Sequence, residues 1–188
     1  MRYLFAVLLM FFLFPICGFS EDTVVPVRRT GQSTSYRTGD DGALQEGVVW
    51  PSFRFTDNRD GTVRDNLTRL VWMRNAGCWA GLPWANALST VAGLNAGTVS
   101  CSGYTTGTHT DWRLPQIREL SSLIDAGHVS MALPSGHPFS NILLGYYWSA
   151  TTYASNTGNA WLMSLIDGNV SDDRKTNYYY VWPVRGGQ

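Results

Sequence analysis

The chain has 188 residues, and its 14 basic and 14 acidic side chains give a formal net charge of zero. A neutral protein has no overall attraction for nucleic acid or for an anionic membrane surface, so neither is expected as a partner. Once an N-terminal targeting segment is set aside, the remaining length suits one ordinary domain.

Residues 1–20 have the pattern of a secretory signal peptide. Arg2 supplies the basic start, and the apolar run that follows is too short and too close to the N-terminus for a mature membrane span. Gly18 and Ser20 are small residues suited to a cleavage point. We therefore expect an exported mature chain that starts near Glu21, has no membrane span, and is at the cell surface, in a periplasm or secreted.

The cysteines agree with export but leave alternatives open. Cys17 lies within the signal segment, and because Ile16 before it is not small, a lipid anchor is the less favoured outcome. Only Cys78 and Cys101 then remain, and two cysteines in an exported protein are expected to form a disulfide. Two separate buried thiols are the alternative.

Residues 21–47 are polar and contain several glycines, so they are expected to form an extended lead-in to a domain at residues 48–188. Within that domain, the apolar and aromatic residues 48–55 predict a first strand. A turn signal at residues 57–61 is followed by strand candidates at residues 62–65 and 70–73.

The turn at residues 57–61 also carries oxygen ligands of the type that calcium prefers. Asp57, Asp60 and Asp65 are weak candidates, because Gly61 comes one place early for an EF-hand and no glutamate closes the loop. A turn stabilised by its own Asp and Asn side chains is favoured instead, so neither a metal nor a cofactor is predicted.

Two helices are expected in the middle of the chain. Residues 83–94 have apolar side chains at helical spacing, and Pro83 suits the first turn. A second helix is expected to open at Pro115, to carry an early Glu119, and to end at Gly127.

Three strands are predicted in the last quarter, at residues 147–152, 159–166 and 178–184, and Pro183 indicates that the last is an edge or a strand end. Asp167 and Gly168 form a hairpin-type turn signal. Two helices among mostly antiparallel, aromatic-rich strands make an α+β domain.

At this point the motifs resemble those of the Lcl C-terminal family, also called DUF1566. The matching segments are Phe55–Thr68 with Trp72, Asp111–Pro115 with Glu119 and Leu120, Tyr147–Thr152, Ala160–Trp161, Gly168–Val170 and Pro183–Gln188. The resemblance implies a C-type-lectin-like fold. The family's namesake is an adhesin for sulfated glycosaminoglycans, and its trimeric state leaves an oligomer open here.

A narrower resemblance concerns the variable proteins of diversity-generating retroelements. In these lectin-like domains an error-prone reverse transcriptase mutates adenines, which converts Asn codons into Tyr, Asp, Ser, Thr or Arg codons. Residues 171–180 are drawn almost entirely from that set, and residues 181–188 resemble the constant tail that follows it. The resemblance implies a hypervariable binding surface.

The residues themselves also favour binding, because Tyr provides a wide amphipathic face and Asn and Ser provide adaptable hydrogen bonds. Strict alternation predicts that Trp161, Met163 and Leu165 point inward, while Leu162, Ser164 and Ile166 point outward. The candidate ligand-binding residues are Tyr153, Asn156, Asn159, Leu162, Ser164, Ile166, Asn169, Ser171, Asp172, Asp173, Arg174, Asn177, Tyr178 and Tyr179. The alternative is that they form ordinary solvated loops, with residues 178–180 partly in the core.

No catalytic motif is present, and the three histidines are scattered without metal-site spacing. Enzymes of the formylglycine-generating type need cysteines near the C-terminus, and no cysteine follows Cys101, so that chemistry is not expected. We therefore predict a non-enzymatic adhesin or receptor with a protein or glycan ligand. A structural envelope protein without a dedicated ligand is the alternative.

Overall fold

A computed structural model describes residues 27–186. The predicted signal peptide lies outside these residues, as does the start of the lead-in. Three helices and seven strands follow in the order α1 (Asp41–Leu44), β1 (Phe55–Asp57), β2 (Thr62–Asp65), β3 (Val71–Met73), α2 (Trp84–Asn95), α3 (Ile117–Ser121), β4 (Tyr146–Thr152), β5 (Asn159–Ser164), β6 (Val170–Arg174) and β7 (Val184–Arg185).

The strands form two antiparallel sheets. The first, called here the framework sheet, has the order β1-β2-β3-β7, and the second, the hairpin sheet, has the order β4-β5-β6. Few helices and two antiparallel sheets make this a small α+β protein, as predicted from the sequence.

The last residues of the chain join the two sheets. Tyr180 pairs beside β4 in a parallel bridge, because its N–H donates to the carbonyl of Tyr146 and its carbonyl accepts from the N–H of Trp148. Four residues later, Val184 pairs with Trp72 in the framework sheet. One continuous segment therefore fixes how the sheets sit relative to each other.

Tryptophans fill the core between the sheets. Trp72, Trp148 and Trp182 are completely buried, and the Trp182 ring lies 5.3 Å from that of Trp72 and 4.8 Å from that of Phe139. The Trp182 indole N–H donates to the carbonyl of Met73 at 2.7 Å, which satisfies its polar atom inside the core. Burying such large side chains supplies much of the hydrophobic stabilisation of a domain of this size.

The turn between β1 and β2 is held by close backbone approach. Gly61 has a φ of +87°, and a Cβ there would lie 2.3 Å from the carbonyl oxygen of Gly103. Only glycine fits this position, which anchors the turn to the loop after α2.

The disulfide prediction is confirmed. Cys78 and Cys101 are bonded across a separation of 23 residues, with their Cα atoms 5.2 Å apart. The bond ties the chain before α2 to the loop that follows α2.

Several predicted elements differ from those observed. The first strand is Phe55–Asp57 rather than residues 48–55, where Pro51 lacks the N–H that a ladder needs. Helix α2 agrees with its prediction to within one residue, but α3 ends at Ser121 and the chain continues to Gly127 in turns. The N-terminus of α3 is a capping box of Gln116 and Glu119.

The C-terminal prediction is wrong in a more consequential way. No strand was predicted between residues 166 and 178, but β6 lies there. The strand expected at residues 178–184 is instead reduced to short bridges and β7. Pairing with β5 through the turn at Gly168, whose φ is +77°, creates β6 although its sequence is polar. The sequence lacks hydrophobic alternation there because this strand lies at the edge of its sheet.

Candidate ligand-binding surface

Burial changes abruptly near the end of the chain. In the run of residues 171–180, every side chain is exposed or half-buried, and Tyr178 is 70% exposed. Residues 181–184, which follow immediately, are all buried, with Trp182 and Val184 at 0%. We call the surface formed by Ile166, residues 169–180, Tyr153, Asn156, Asn159 and Trp161 the C-terminal surface.

The predicted alternation of buried and exposed side chains along β5 is only partly observed. Leu162 and Ser164 are 1% and 2% exposed, so the prediction that they point outward into a binding surface is wrong. Trp161 was predicted to point inward and is instead half-exposed, whereas Met163 and Leu165 are buried and Ile166 is 42% exposed as expected.

The side chain of Tyr179 covers the face of β5 that carries Leu162. Its ring lies 5.0 Å from that of Trp148 on β4, and its hydroxyl donates to the Asp173 carboxylate on β6. Because β5 lies between those strands, the Tyr179 side chain crosses over β5 on the face that carries Leu162, which pairs with Trp148. Ser164 is buried at the turn, where its hydroxyl accepts from the N–H of Ile166 at 3.3 Å.

Asp173 is the centre of a hydrogen-bonded cluster on this face. Its carboxylate accepts from the Tyr179 hydroxyl, from the Asn177 amide at 2.8 Å, and from the N–H of Arg174 at 2.7 Å. The Tyr179 hydroxyl, followed by the Asn177 amide, lowers the pKa of Asp173. Burial, followed by the Asp173 carboxylate, raises the pKa of Tyr179 to about 12. At neutral pH the cluster therefore holds a carboxylate and a neutral phenol.

A second cluster lies on the opposite face of the same hairpin. Trp161 pairs directly with Asp172 across the strands, and the ring of Tyr153 meets that of Trp161 edge-on at 5.1 Å. The Asn159 amide donates to the Asp172 carboxylate at 2.8 Å. A half-exposed indole next to an amide and a carboxylate offers both an apolar platform and hydrogen-bonding groups.

The remaining candidates lie around these clusters. Ile166 and Asn169 lie in the exposed turn between β5 and β6, and Ser171 is half-buried on β6. The Asn156 side chain stabilises the loop before β5 by accepting from the N–H of Gly158 at 3.2 Å. Arg174 is exposed at the end of β6. The two clusters are therefore on different faces, and they meet along β6, which is paired on one side only.

The candidate residues predicted from the sequence omit five residues of this surface: Trp161, Val170, Lys175, Thr176 and Tyr180. Trp161 was predicted to point inward but is half-exposed, and Val170 is 42% exposed. Lys175 lies 4.2 Å above the ring of Trp84 and donates to the Thr152 hydroxyl at 2.8 Å. These contacts connect the loop after β6 to α2 and β4. The sequence signal that could have identified this residue is that Lys175 is the single lysine of the chain.

The calcium candidates do not come together. Asp57 accepts from the N–H of Arg59 at 2.8 Å, Asp60 accepts from the N–H and the hydroxyl of Thr62 at 2.9 and 2.6 Å, and Asp65 binds Arg54. The contacts of Asp57 and Asp60 are those of the favoured alternative, a turn stabilised by its own side chains, whereas Asp65 forms an ion pair. Within residues 27–186, no three His, Cys, Asp or Glu side chains form a group that could hold a metal ion.

One polar cluster outside this surface has the composition of a catalytic triad. The Nε2 atom of His128 lies 2.9 Å from the hydroxyl of Ser135, and its Nδ1 atom lies 2.9 Å from the carboxylate of Asp125. However, the Nδ1 contact is not directed as a hydrogen bond, so the imidazole lacks the orienting bond on which triad chemistry depends. We therefore interpret it as a cluster that stabilises its loop.

Comparison with known families agrees with the sequence motifs. The family model of the Lcl C-terminal domain matches residues 61–185, which extend from the turn before β2 to the end of β7. No curated protein matches the chain significantly. In the part of the chain that the structure describes, none of the helices has the length and apolar composition required to cross a bilayer.

Proposed function

The chain belongs to the Lcl C-terminal domain family, and we propose that it is an exported protein that captures a protein or glycan ligand through its C-terminal surface. Family membership and the disulfide fit a surface or secreted protein. Our proposal includes the C-type-lectin-like fold that the motifs imply, and a non-enzymatic role.

The observation that carries this proposal is the sharp boundary between residues 180 and 181. A solvated run of Tyr, Asn, Asp, Ser and Thr is followed directly by four buried residues that join the two sheets. A rigid scaffold that presents adaptable side chains is the usual construction of a recognition surface.

The chemistry of the surface suits hydrogen-bonding ligands with apolar faces. Tyr178 and Trp161 offer aromatic surface, while Asn159, Asp172 and Arg174 offer amide, carboxylate and guanidinium groups. The contacts of Asp173 with Asn177 and Tyr179 preorganise part of this surface, which reduces the entropy lost on binding.

We further propose that residues 171–180 are diversified. In this run only Tyr179 and Tyr180 pack against the hydrophobic core, so substitution of the other residues leaves the core intact. The expected finding is a neighbouring reverse-transcriptase gene and a template copy of the C-terminal coding sequence, with natural variants differing mainly at these codons. A genome without either element, or variants that differ evenly along the chain, would contradict diversification but not ligand binding.

A binding experiment tests the surface itself. The mature protein is applied to glycan and protein arrays, and each ligand found is titrated against Tyr178→Ala. We expect affinity to fall by at least about tenfold, as for an aromatic contact at the centre of an interface. Tyr36→Ala is the matched control, since Tyr36 is 81% exposed and lies far from residue 178 in the sequence.

The arrays and the two variants together separate a ligand-binding protein from a structural protein. Loss of binding in both variants, or in neither, would contradict a specific role for the C-terminal surface. A structural envelope protein without a dedicated ligand predicts no reproducible ligand on either array.

A further inference from the structure

A small cavity lies between Arg28, the residues just before β3, and α3. It has a volume of about 210 Å³ and is lined by Arg28, Thr68, Leu70, Arg118, Glu119 and Ser122. None of these residues belongs to the C-terminal surface. The volume is below the roughly 300 Å³ at which sites for drug-sized ligands begin, so the cavity suits a small molecule or one end group of a larger one.

Ser122 lines this cavity and has a buried hydroxyl without a hydrogen-bond partner in the described chain. Ser122 is 2% exposed, and its Oγ atom makes no hydrogen bond with the described residues. The backbone of Ser122 is fully engaged, because its N–H donates to the carbonyls of Arg118 and Glu119 and its carbonyl accepts from Arg54. The backbone of Ser122 is thus fixed, whereas its buried hydroxyl has an unmet hydrogen bond, which buried polar groups normally avoid.

The charges around the cavity are mostly positive. Among residues 27–186, Arg28 and Arg118 pair with no carboxylate. Glu119, the acidic residue of the wall, is engaged by both terminal nitrogens of Arg113 at 2.6 Å and by the N–H of Gln116 at 2.8 Å.

Arg54 is a further cation near the cavity, where it contacts the lining residue Ser122. The Arg54 guanidinium, which binds Asp65, reaches the Ser122 carbonyl with Nη2, and its Nη1 atom has no partner in the described chain. Burial, followed by repulsion from Arg54, lowers the pKa of Arg28. An anion between Arg28 and Arg118 would relieve this repulsion.

We propose that this cavity binds a small oxyanion, a carboxylate or a phosphate group. The Ser122 hydroxyl donates one hydrogen bond, and the guanidinium groups of Arg28 and Arg118 donate charge-assisted hydrogen bonds to the other oxygens. A cation is disfavoured because the wall supplies mainly donors and its one carboxylate is neutralised by Arg113.

The test is thermal unfolding and calorimetric titration of the full-length mature protein with sodium phosphate and, separately, with sodium acetate. Sodium chloride at equal ionic strength is the reference. We expect saturable stabilisation by at least one of the two oxyanions beyond that given by chloride. Phosphate and acetate are separate arms: stabilisation by one alone identifies which oxyanion class the cavity prefers.

Two variants locate the effect. Arg118→Gln removes a cation and Ser122→Ala removes the unmet hydroxyl, and each is expected to weaken oxyanion binding by at least about tenfold. Arg64→Gln is the control, since Arg64 is an exposed arginine of β2 that does not line the cavity. Without oxyanion, Ser122→Ala should be at least as stable as the parent protein, because the substitution removes the desolvation cost of a buried hydroxyl that has no partner.

The proposal is overturned if phosphate and acetate act no differently from chloride, or if Arg118→Gln and Ser122→Ala respond as fully as Arg64→Gln. Neither result bears on ligand capture by the C-terminal surface, because that site shares no residue with the cavity.

Discussion

The two sheets differ in the burial and the hydrogen-bond partners of their aspartates. In the framework sheet, Asp65 is completely buried and bound by Arg54 at 3.0 and 3.1 Å. In the hairpin sheet, Asp172 and Asp173 are half-buried and receive hydrogen bonds from neutral amide and phenol groups. Polar groups therefore stabilise the fold in one sheet and form an accessible surface in the other, which suggests that only the second tolerates extensive substitution.

The largest expected effect comes from breaking the buried ion pair. In the parent protein Arg54 is buried, so Asp65→Asn leaves its guanidinium inside the fold without a counter-charge. We expect a loss of about 3–5 kcal/mol in the free energy of unfolding. Asp173→Asn is the matched change in the hairpin sheet and should cost only about 1 kcal/mol. Urea denaturation of both variants measures the difference, and equal losses would contradict the contrast between the sheets.

An intermediate effect is expected for Tyr179→Phe, which removes the hydroxyl from Asp173 but keeps the ring on Trp148. We expect a loss of about 1 kcal/mol in the free energy of unfolding at neutral pH. Affinity for the ligand should change less than in Tyr178→Ala if Tyr179 mainly supports the surface.

The same variant has a defined pH dependence. The pKa of Asp173 is lowered by folding, so its contribution is present above the ordinary carboxyl value of 3.8 and is lost as the pH falls through the lower folded pKa. The pKa of Tyr179 is raised to about 12, so its contribution is present below the ordinary value of 10.0 and is lost as the pH rises through about 12. The stability difference between parent and variant should therefore be largest at neutral pH and shrink at both extremes. A difference that is independent of pH would show that the hydroxyl does not act through Asp173.

The smallest effect on stability is expected for Tyr178→Ala, because that side chain is 70% exposed. Its free energy of unfolding should stay within about 0.5 kcal/mol of the parent value in the denaturation experiment. A larger loss would mean that Tyr178 belongs to the framework, and the affinity change of this variant could then not be assigned to a direct contact.

Local patterns were sufficient for elements whose neighbours in the chain determine them. The apolar spacing behind Pro83 predicts α2, and the acidic turn with Gly61 predicts the turn that leads into β2, because turn conformation and helical periodicity act over a few residues. The disulfide also followed from the small number of cysteines in an exported chain.

Strand β5 shows where such patterns fail. Alternation gives two possible orientations, and the predicted one placed Trp161 inside and Leu162 outside. Met163 and Leu165 are buried as predicted, but Leu162 is buried too, because Tyr179, seventeen positions later, covers the face that carries it. Strand β6 was missed for a related reason, since its pairing depends on a turn and a partner strand rather than on its own hydrophobicity.

By itself, the sequence determined the family motifs, the α+β class, the main turns and the run of polar and aromatic residues before the buried tail. Those features depend on residue type and short spacing. Only the tertiary structure decided which faces of the hairpin remain open, which aspartates are locked into ion pairs, and that Ser122 meets Arg28 and Arg118 in one cavity. These outcomes require residues distant in the chain to pack together, because burial and charge pairing are properties of the whole fold.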